Sequence, residues 1–108
     1  METIFQQIID KKADAKILFE NKRVIAFYDI NPKAPGNFLV VPKVYSRNFK
    51  TIKEKDMLYL IKIARKLALK EIKKLNVDGF RLIVNNEASA KQVVFHTHVH
   101  IIPSEKGM

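Results

Sequence analysis

Cysteine is absent from these 108 residues, and glycine and proline are scarce, at three and four copies. Without cysteine there is no disulfide, no thiolate zinc site and no cysteine nucleophile. No internal repeat, low-complexity tract or linker interrupts the chain. No apolar stretch approaches the ~20 residues that a membrane helix needs, so no membrane partner is expected. Residues 1–10 lack a basic segment followed by a long apolar run, so no signal peptide is expected and a cytoplasmic location is the default. Acidic residues are also few. Eleven Asp and Glu stand against 20 Lys and Arg, for a net charge of +9.

A mass of 12.5 kDa with 47% hydrophobic residues leaves room for one domain, residues 1–108, around one core. The basic excess is concentrated. Between Lys43 and Lys74 eleven Lys or Arg face three acids, a net of +8. Much of this falls on one predicted helix, where a charge run is usually the solvated face. No RNA-binding aromatic signature, zinc finger or helix-turn-helix pattern accompanies it, so a nucleic-acid partner is not expected. Some steering of anionic substrates is.

Hydrophobic periodicity places a short helix over residues 3–12, with Phe5, Ile8 and Ile9 on one face. Strands follow over 16–20 and 23–30, joined at Asn21-Lys22 as a two-residue hairpin turn. Residues 31–36 carry turn chemistry, and residues 37–41 make a third strand ended by Pro42. A long helix runs over 53–75, with Thr51 and Glu54 at capping-box spacing. Its predicted apolar stripe is Met57, Ile61, Ala64, Ala68, Ile72 and Leu75. A fourth strand covers 80–84, a polar loop 85–91, and a fifth strand 93–102. Short connections favour antiparallel neighbours, so the expected class is α+β with one mainly antiparallel sheet.

All three histidines fall within five residues of the last predicted strand. On a strand, alternate side chains share a face, which groups His96, His98 and His100 and sets Phe95, Thr97, Val99 and Ile101 opposite. Neighbouring imidazoles then start ~7 Å apart at their α-carbons. Three readings are open from the residues alone: satisfied structural histidines, ligands of a metal, or a nucleophilic centre. A structural zinc site needs four protein ligands, and here only a carboxylate from elsewhere could complete the set. Nucleophilic catalysis suits imidazole because its neutral form is abundant near pH 7, and its phosphorus adduct is readily hydrolysed.

The segment Gln92-Val93-Val94-Phe95-His96-Thr97-His98-Val99-His100-Ile101-Ile102 resembles the signature of the histidine-triad (HIT) family. Thr3-Ile4-Phe5, Ile8-Ile9, and Ala15-Lys16-Ile17-Leu18-Phe19-Glu20 look like the opening of its Hint-like branch. Ala26-Phe27-Tyr28-Asp29-Ile30-Asn31-Pro32-Lys33-Ala34-Pro35, Phe38-Leu39-Val40-Val41-Pro42-Lys43 and Gly79-Phe80-Arg81-Leu82-Ile83-Val84-Asn85 extend the likeness over nearly the whole chain. The resemblance implies a five-stranded, mainly antiparallel sheet with two helices, a homodimer, and no cofactor. It also implies hydrolysis or transfer of nucleoside monophosphate groups at P–N or P–O bonds through a nucleotidyl-histidine, as in a purine (AMP-yielding) phosphoramidase. A Fhit-like dinucleoside polyphosphate hydrolase and a non-catalytic nucleotide- or metal-binding module are the alternatives.

By that resemblance His98 is the nucleophile, His100 assists proton transfer beside the phosphate, and His96 supports the network. Asp29 matches the acid that hydrogen-bonds the ribose hydroxyls. Phe27, Ile30, Phe5 and Ile8 match the apolar slot for the base, and Asn85 a side chain near the phosphate. Gln92 either binds phosphate or fixes the loop. The chain also departs from the pattern. Glu87, Ala90 and Lys91 occupy loop positions often held by glycine, which lets backbone N–H groups approach a phosphate. Val93 stands where Ser or Thr often directs a hydroxyl at the phosphate or leaving group; one such hydrogen bond is worth roughly ten- to a thousandfold in rate. Asn37 replaces an additional histidine often found in the third strand. The zinc-binding cysteines of some bacterial relatives are absent, so structural zinc is not implied.

Overall fold

The computed structural model describes residues 2–30 and 36–105. The turn expected at residues 31–36 lies, apart from Gly36, outside the described residues. The first helix, α1 (Ile4–Ile9), opens on Thr3, whose hydroxyl accepts from the Gln6 amide at 3.0 Å. This satisfies one of the orphan donors at the helix start. Strands β1 (Ile17–Glu20) and β2 (Val24–Tyr28) follow as an antiparallel pair. Asn21 shapes their connection: its Oδ1 accepts from the amides of Arg23 and Val24, at 2.8 and 2.9 Å. The loop is one residue longer than the expected two, because β2 begins only at Val24.

Strand β3 (Phe38–Pro42) lies beside β2. The long helix α2 (Glu54–Leu75) follows, then β4 (Phe80–Ile83), a single 3₁₀ turn η1 (Ala88–Ala90) and β5 (Val99–Pro103). The strands form one antiparallel sheet in the order β1-β2-β3-β5-β4. This is the expected α+β architecture of five strands and two helices.

Both faces of the sheet are covered. Val24, Ala26, Phe38, Val40, Val99 and Ile101 pack against Leu60, Ile63, Ala64, Leu67 and Ala68 of α2. Ile25, Phe27, Leu39 and Val41 point the other way, onto Phe5 and Ile8 of α1. This strict alternation across β2 and β3 explains their nearly unbroken apolar sequence: each residue serves one of two cores. The buried stripe of α2 corrects the expectation. Leu60, Ile63, Ala64, Leu67, Ala68 and Glu71 are buried, whereas Met57, Ile61, Ile72 and Leu75 are only partly so. The sheet-facing side is rotated because Glu71 joins it, accepting a 2.8 Å hydrogen bond from the Tyr28 hydroxyl. Burial and this carboxylate push the Tyr28 hydroxyl up to about 12.

The capping box is also absent. Lys53 caps α2 without a side-chain hydrogen bond. Thr51 instead turns back, accepting from the Arg47 amide at 3.2 Å and donating to the Asn48 carbonyl at 3.3 Å. The helix stops at Asn76, in the left-handed conformation with φ 58°, whose amide bonds the carbonyls of Ile72 and Lys73.

The expected fifth strand over 93–102 begins six residues late, at Val99. Pro42 accounts for this. The β3–β5 ladder runs from Phe38↔Ile101 through Leu39↔His100 to Val40↔Val99. Continued, it would bring Pro42 opposite Thr97, but proline has no N–H to donate. The Pro42 carbonyl is taken instead by His96 Nε2 at 3.0 Å. Residues before Val99 therefore dock on the loop after β3, with Thr97 bonded to Ser46 and the Tyr45 hydroxyl donating to the Phe95 carbonyl at 2.9 Å.

Candidate functional site

Although only His100 belongs to β5, the three histidines still gather on the α1 side of the sheet. Cross-strand register puts His100 opposite Leu39, whose side chain lies in the α1 core. The His98 ring stands 4.8 Å from that of His100 and 4.8 Å from Phe5, in edge-on geometry. His96 lies 6.1 Å from Phe5 and 5.2 Å from Tyr45. Val99 and Ile101 lie in the α2 core on the other side, as alternation expects, and Thr97 is buried against Ser46.

Hydrogen-bond partners settle two tautomers. His96 Nε2 faces a carbonyl, that of Pro42, so Nε2 carries the proton. Its Nδ1 therefore accepts, and the Thr3 hydroxyl donates to it at 3.1 Å while also capping α1. Both nitrogens of His96 are committed to structure. The ring is fully buried, and burial lowers its pKa despite the opposing carbonyl bond. His98 Nδ1 donates to the His96 carbonyl at 2.7 Å. That leaves the lone pair of the neutral ring on Nε2.

Burial pushes the His98 pKa down to about 4. The carbonyl bond opposes this shift, nearby His100 and His96 add to it, and Asp29 acts weakly against it. The imidazole is thus an unprotonated base at neutral pH. The unfolded chain binds a proton at this position below about pH 6.5 and the folded chain does not, so stability falls as pH drops from 6.5 towards 4. The loss through His98 alone is about 3 kcal/mol at pH 4. His98→Gln cannot charge, so in urea melts at pH 7 and pH 4 its acid loss should be smaller by about that amount; equal losses contradict this reading.

The remaining expected site residues divide. Phe5, Ile8 and Phe27 are buried at 4–6% exposure and make the apolar floor beneath the histidines, with Phe5 edge-on to Phe27 at 5.5 Å. Asp29 follows β2 directly, its amide bonded to the Asn37 carbonyl at 3.0 Å, and its charge reaches His98. Asn37 is buried beside β3. Ile30 and Val93 are not part of this cluster's buried surface, at 91% and 84% exposure. Asn85 bonds the Lys91 carbonyl at 3.5 Å, across the base of the loop before the histidines.

Gln92 is the hub of that loop. It is buried, and its Oε1 accepts from the Glu87 amide at 2.7 Å and Asn48 Nδ2 at 3.0 Å. Its Nε2 donates to the carbonyls of Arg47 and Val94 at 2.8 and 3.1 Å. Of the two roles open to Gln92, these bonds favour fixing the loop over touching a phosphate. Residues overlooked from sequence are Tyr45, Arg47 and Asn48 of the 42–48 segment, and Thr3 at the start of α1. Only Thr3, at cap spacing before an amphipathic helix, had a readable local signal.

Among the described residues no group of three or more His, Asp or Glu is arranged to hold a metal ion. The chemistry agrees, since both His96 nitrogens and His98 Nδ1 are already hydrogen-bonded. An open groove of about 680 Å³, lined by Arg23, Lys53, Lys55, Lys62 and Tyr59 among others, contains none of the histidines. Arg23 there stacks on Tyr59 at 3.8 Å and pairs with Asp56 at 3.4 Å. No described helix is long and apolar enough to cross a membrane.

Comparison with known proteins agrees with this fold. An uncharacterized 13.1 kDa HIT-like protein of Mesomycoplasma hyorhinis is 53% identical over 105 residues, covering 97% of this chain and 95% of its own. A hypothetical histidine triad nucleotide-binding protein of Sulfolobus tokodaii strain7 superposes with a TM-score of 0.93 at 33% identity, over 97% of this chain and 70% of that one. A HIT family hydrolase from Clostridium thermocellum superposes with a TM-score of 0.84 at 38% identity, over 99% and 94%. Residues 10–107 match the HIT domain itself. With its histidines on one side of a five-stranded sheet and this match over most of its length, the chain belongs to the HIT family.

Proposed function

We propose that this protein is a nucleotide-binding hydrolase that cleaves P–N or P–O bonds of nucleoside monophosphate derivatives, acting as a purine nucleoside phosphoramidase. The observation that carries the reading is the hydrogen bond from His98 Nδ1 to the His96 carbonyl, which reserves Nε2 for attack. The Sulfolobus relative is described as nucleotide-binding and the Clostridium one as a hydrolase.

In this mechanism His98 Nε2 attacks phosphorus, the N–P bond forms, and the bond to the leaving amine or alcohol breaks. The departing group takes a proton from His100, whose ring lies beside that of His98. Water then attacks phosphorus and returns a proton to His100 as the N–P bond breaks, releasing the nucleoside monophosphate. Asp29 accepts from the ribose hydroxyls. Phe5, Ile8 and Phe27 floor the slot for the base, and Ile30 and Val93 close on the ligand from their exposed positions. Asn85, with Gln92 behind the loop, shapes the phosphate end. His96 aligns His98 through its carbonyl. Lowered basicity at His98 suits the role: the neutral nucleophile prevails across the physiological range.

A cytoplasmic location and a homodimer complete the proposal. The edge strand β4, with Leu82 half-exposed, is where a second copy would extend the sheet. The test is turnover: adenosine 5′-phosphoramidate should yield AMP faster than a diadenosine polyphosphate does. The reverse order supports the dinucleoside polyphosphate reading, and binding of AMP without turnover of either supports a non-catalytic module.

A further inference from the structure

The loop before the histidines has kept a shape that its sequence disfavours. Glu87 stands at φ 83°, ψ 157° and Lys91 at φ 71°, ψ 20°. The Glu87 values lie in a region that is essentially reserved for glycine, because a Cβ crowds the backbone there. Such a conformation persists only where its surroundings over-determine it.

The surroundings do so at both ends of the Glu87 residue. Its carboxylate accepts from Arg47 Nη2 at 2.9 Å and from Arg47 Nε at 3.1 Å, a forked pairing that fixes direction as well as distance. Asn48 Nδ2 adds a 2.6 Å bond, and Lys50 lies 3.7 Å away. The Glu87 amide donates to buried Gln92, and its carbonyl accepts from the amides of Ala90 and Gln92 at 2.9 and 3.0 Å. Arg47 is itself braced, with its guanidinium 4.3 Å over the Phe95 ring, one residue before His96. An isolated ion pair at the surface contributes little, but a forked pair inside a network of fixed amides is the exception.

We propose that Glu87 and Arg47 form a latch that holds residues 86–92 in a glycine-like backbone shape, and so position the phosphate end of the site in a loop lacking glycine. The functional half of this statement rests on the reading of His98 as nucleophile; the conformational half does not. Glu87 and Arg47 are positioning residues, acting on the ligand through the loop backbone and Gln92.

Two variants and two readouts test it. Glu87→Ala keeps the Cβ that opposes the conformation and removes the carboxylate bonds that help enforce it, leaving only the backbone bonds. Glu87→Gly removes the opposition as well. Hydrogen–deuterium exchange at the Ala90 and Gln92 amides, which bond the Glu87 carbonyl, should accelerate on the order of tenfold to a hundredfold in Glu87→Ala and be largely restored in Glu87→Gly. With adenosine 5′-phosphoramidate, KM should rise about tenfold in Glu87→Ala, recover in Glu87→Gly, and leave the shape of the pH profile unchanged. A purely structural contribution would lower Tm in both variants without this split in KM. Unchanged amide exchange in Glu87→Ala, or equal loosening in both variants, overturns the latch. Exchange that follows the prediction while wild type turns over no substrate keeps the latch and sinks the nucleophile reading instead.

Discussion

Replacing His98 by alanine should lower turnover of adenosine 5′-phosphoramidate by about 10⁴-fold or more while leaving AMP binding within a few-fold of wild type. The size follows from the chemistry. A nucleophile that forms the protein's only covalent bond to phosphorus cannot be replaced by water held in the same place without losing most of the rate advantage. The direction for binding follows from the packing. His98 contributes one edge-on ring to a floor that Phe5, Ile8 and Phe27 already make, so the base retains its slot. His100→Ala should cost less with a good leaving group than with an amine of high basicity, because only the latter needs the proton. Equal losses for both leaving groups would remove His100 from proton transfer. If His98→Ala retained more than a tenth of the wild-type rate, the nucleophile lies elsewhere.

The second large effect is on stability. Gln92→Leu removes an amide whose atoms bond the Glu87 amide, Asn48 and the carbonyls of Arg47 and Val94. The leucine side chain is similar in size, so little volume is lost, but the Glu87 amide and the Arg47 and Val94 carbonyls lose their side-chain partner, while Asn48 Nδ2 keeps its bond to Glu87. Each such group left without a partner costs about 1–3 kcal/mol where water cannot replace it. Partial access of water to the loop brings the expected total to roughly 3–5 kcal/mol. For a domain of this size that lowers Tm by about 12–30 °C. A phosphate-binding glutamine with no structural task would behave oppositely, with Tm unchanged and kcat/KM reduced. Thermal melts of Gln92→Leu with and without AMP separate the two.

These predictions draw on different depths of the sequence. Alternation at residues 96–101 was enough to group the three imidazoles, because side-chain direction depends only on local backbone extension. The length of β5 was not legible, since it is set by Pro42 on a neighbouring strand 54 residues before His96. The apolar runs at 24–28 and 38–42 announced strands but not which residues face which core. That assignment needs the register, which comes only with pairing. Helix α2 was plain from its period, yet its buried side was misplaced by the presence of Glu71. A charged residue reads as solvated unless its partner, here the Tyr28 hydroxyl, is known.

The site shows the same division. His96, His98, His100 and Asp29 are singled out by residue type, spacing and family likeness. Thr3 and Pro42, which fix the His96 tautomer, were not, because a hydroxyl and a main-chain carbonyl carry no signature of the side chain they will meet. The loop illustrates the limit most clearly. Glu87 and Lys91 in place of glycine suggest a loop unable to approach phosphate, yet both residues hold positive φ and preserve the glycine-like path. What compensates is Arg47, 40 residues earlier.

In the proposed mechanism Nε2 of His98 bonds to phosphorus during turnover. Wild-type protein mixed with adenosine 5′-phosphoramidate, quenched within the first turnover into alkaline denaturant and analysed by peptide mass spectrometry, tests it directly. An adenylyl adduct should form on His98, decay with the appearance of AMP and be missing from His98→Ala. AMP formation with no adduct on His98 at any time, or an adduct on a different residue, would contradict it.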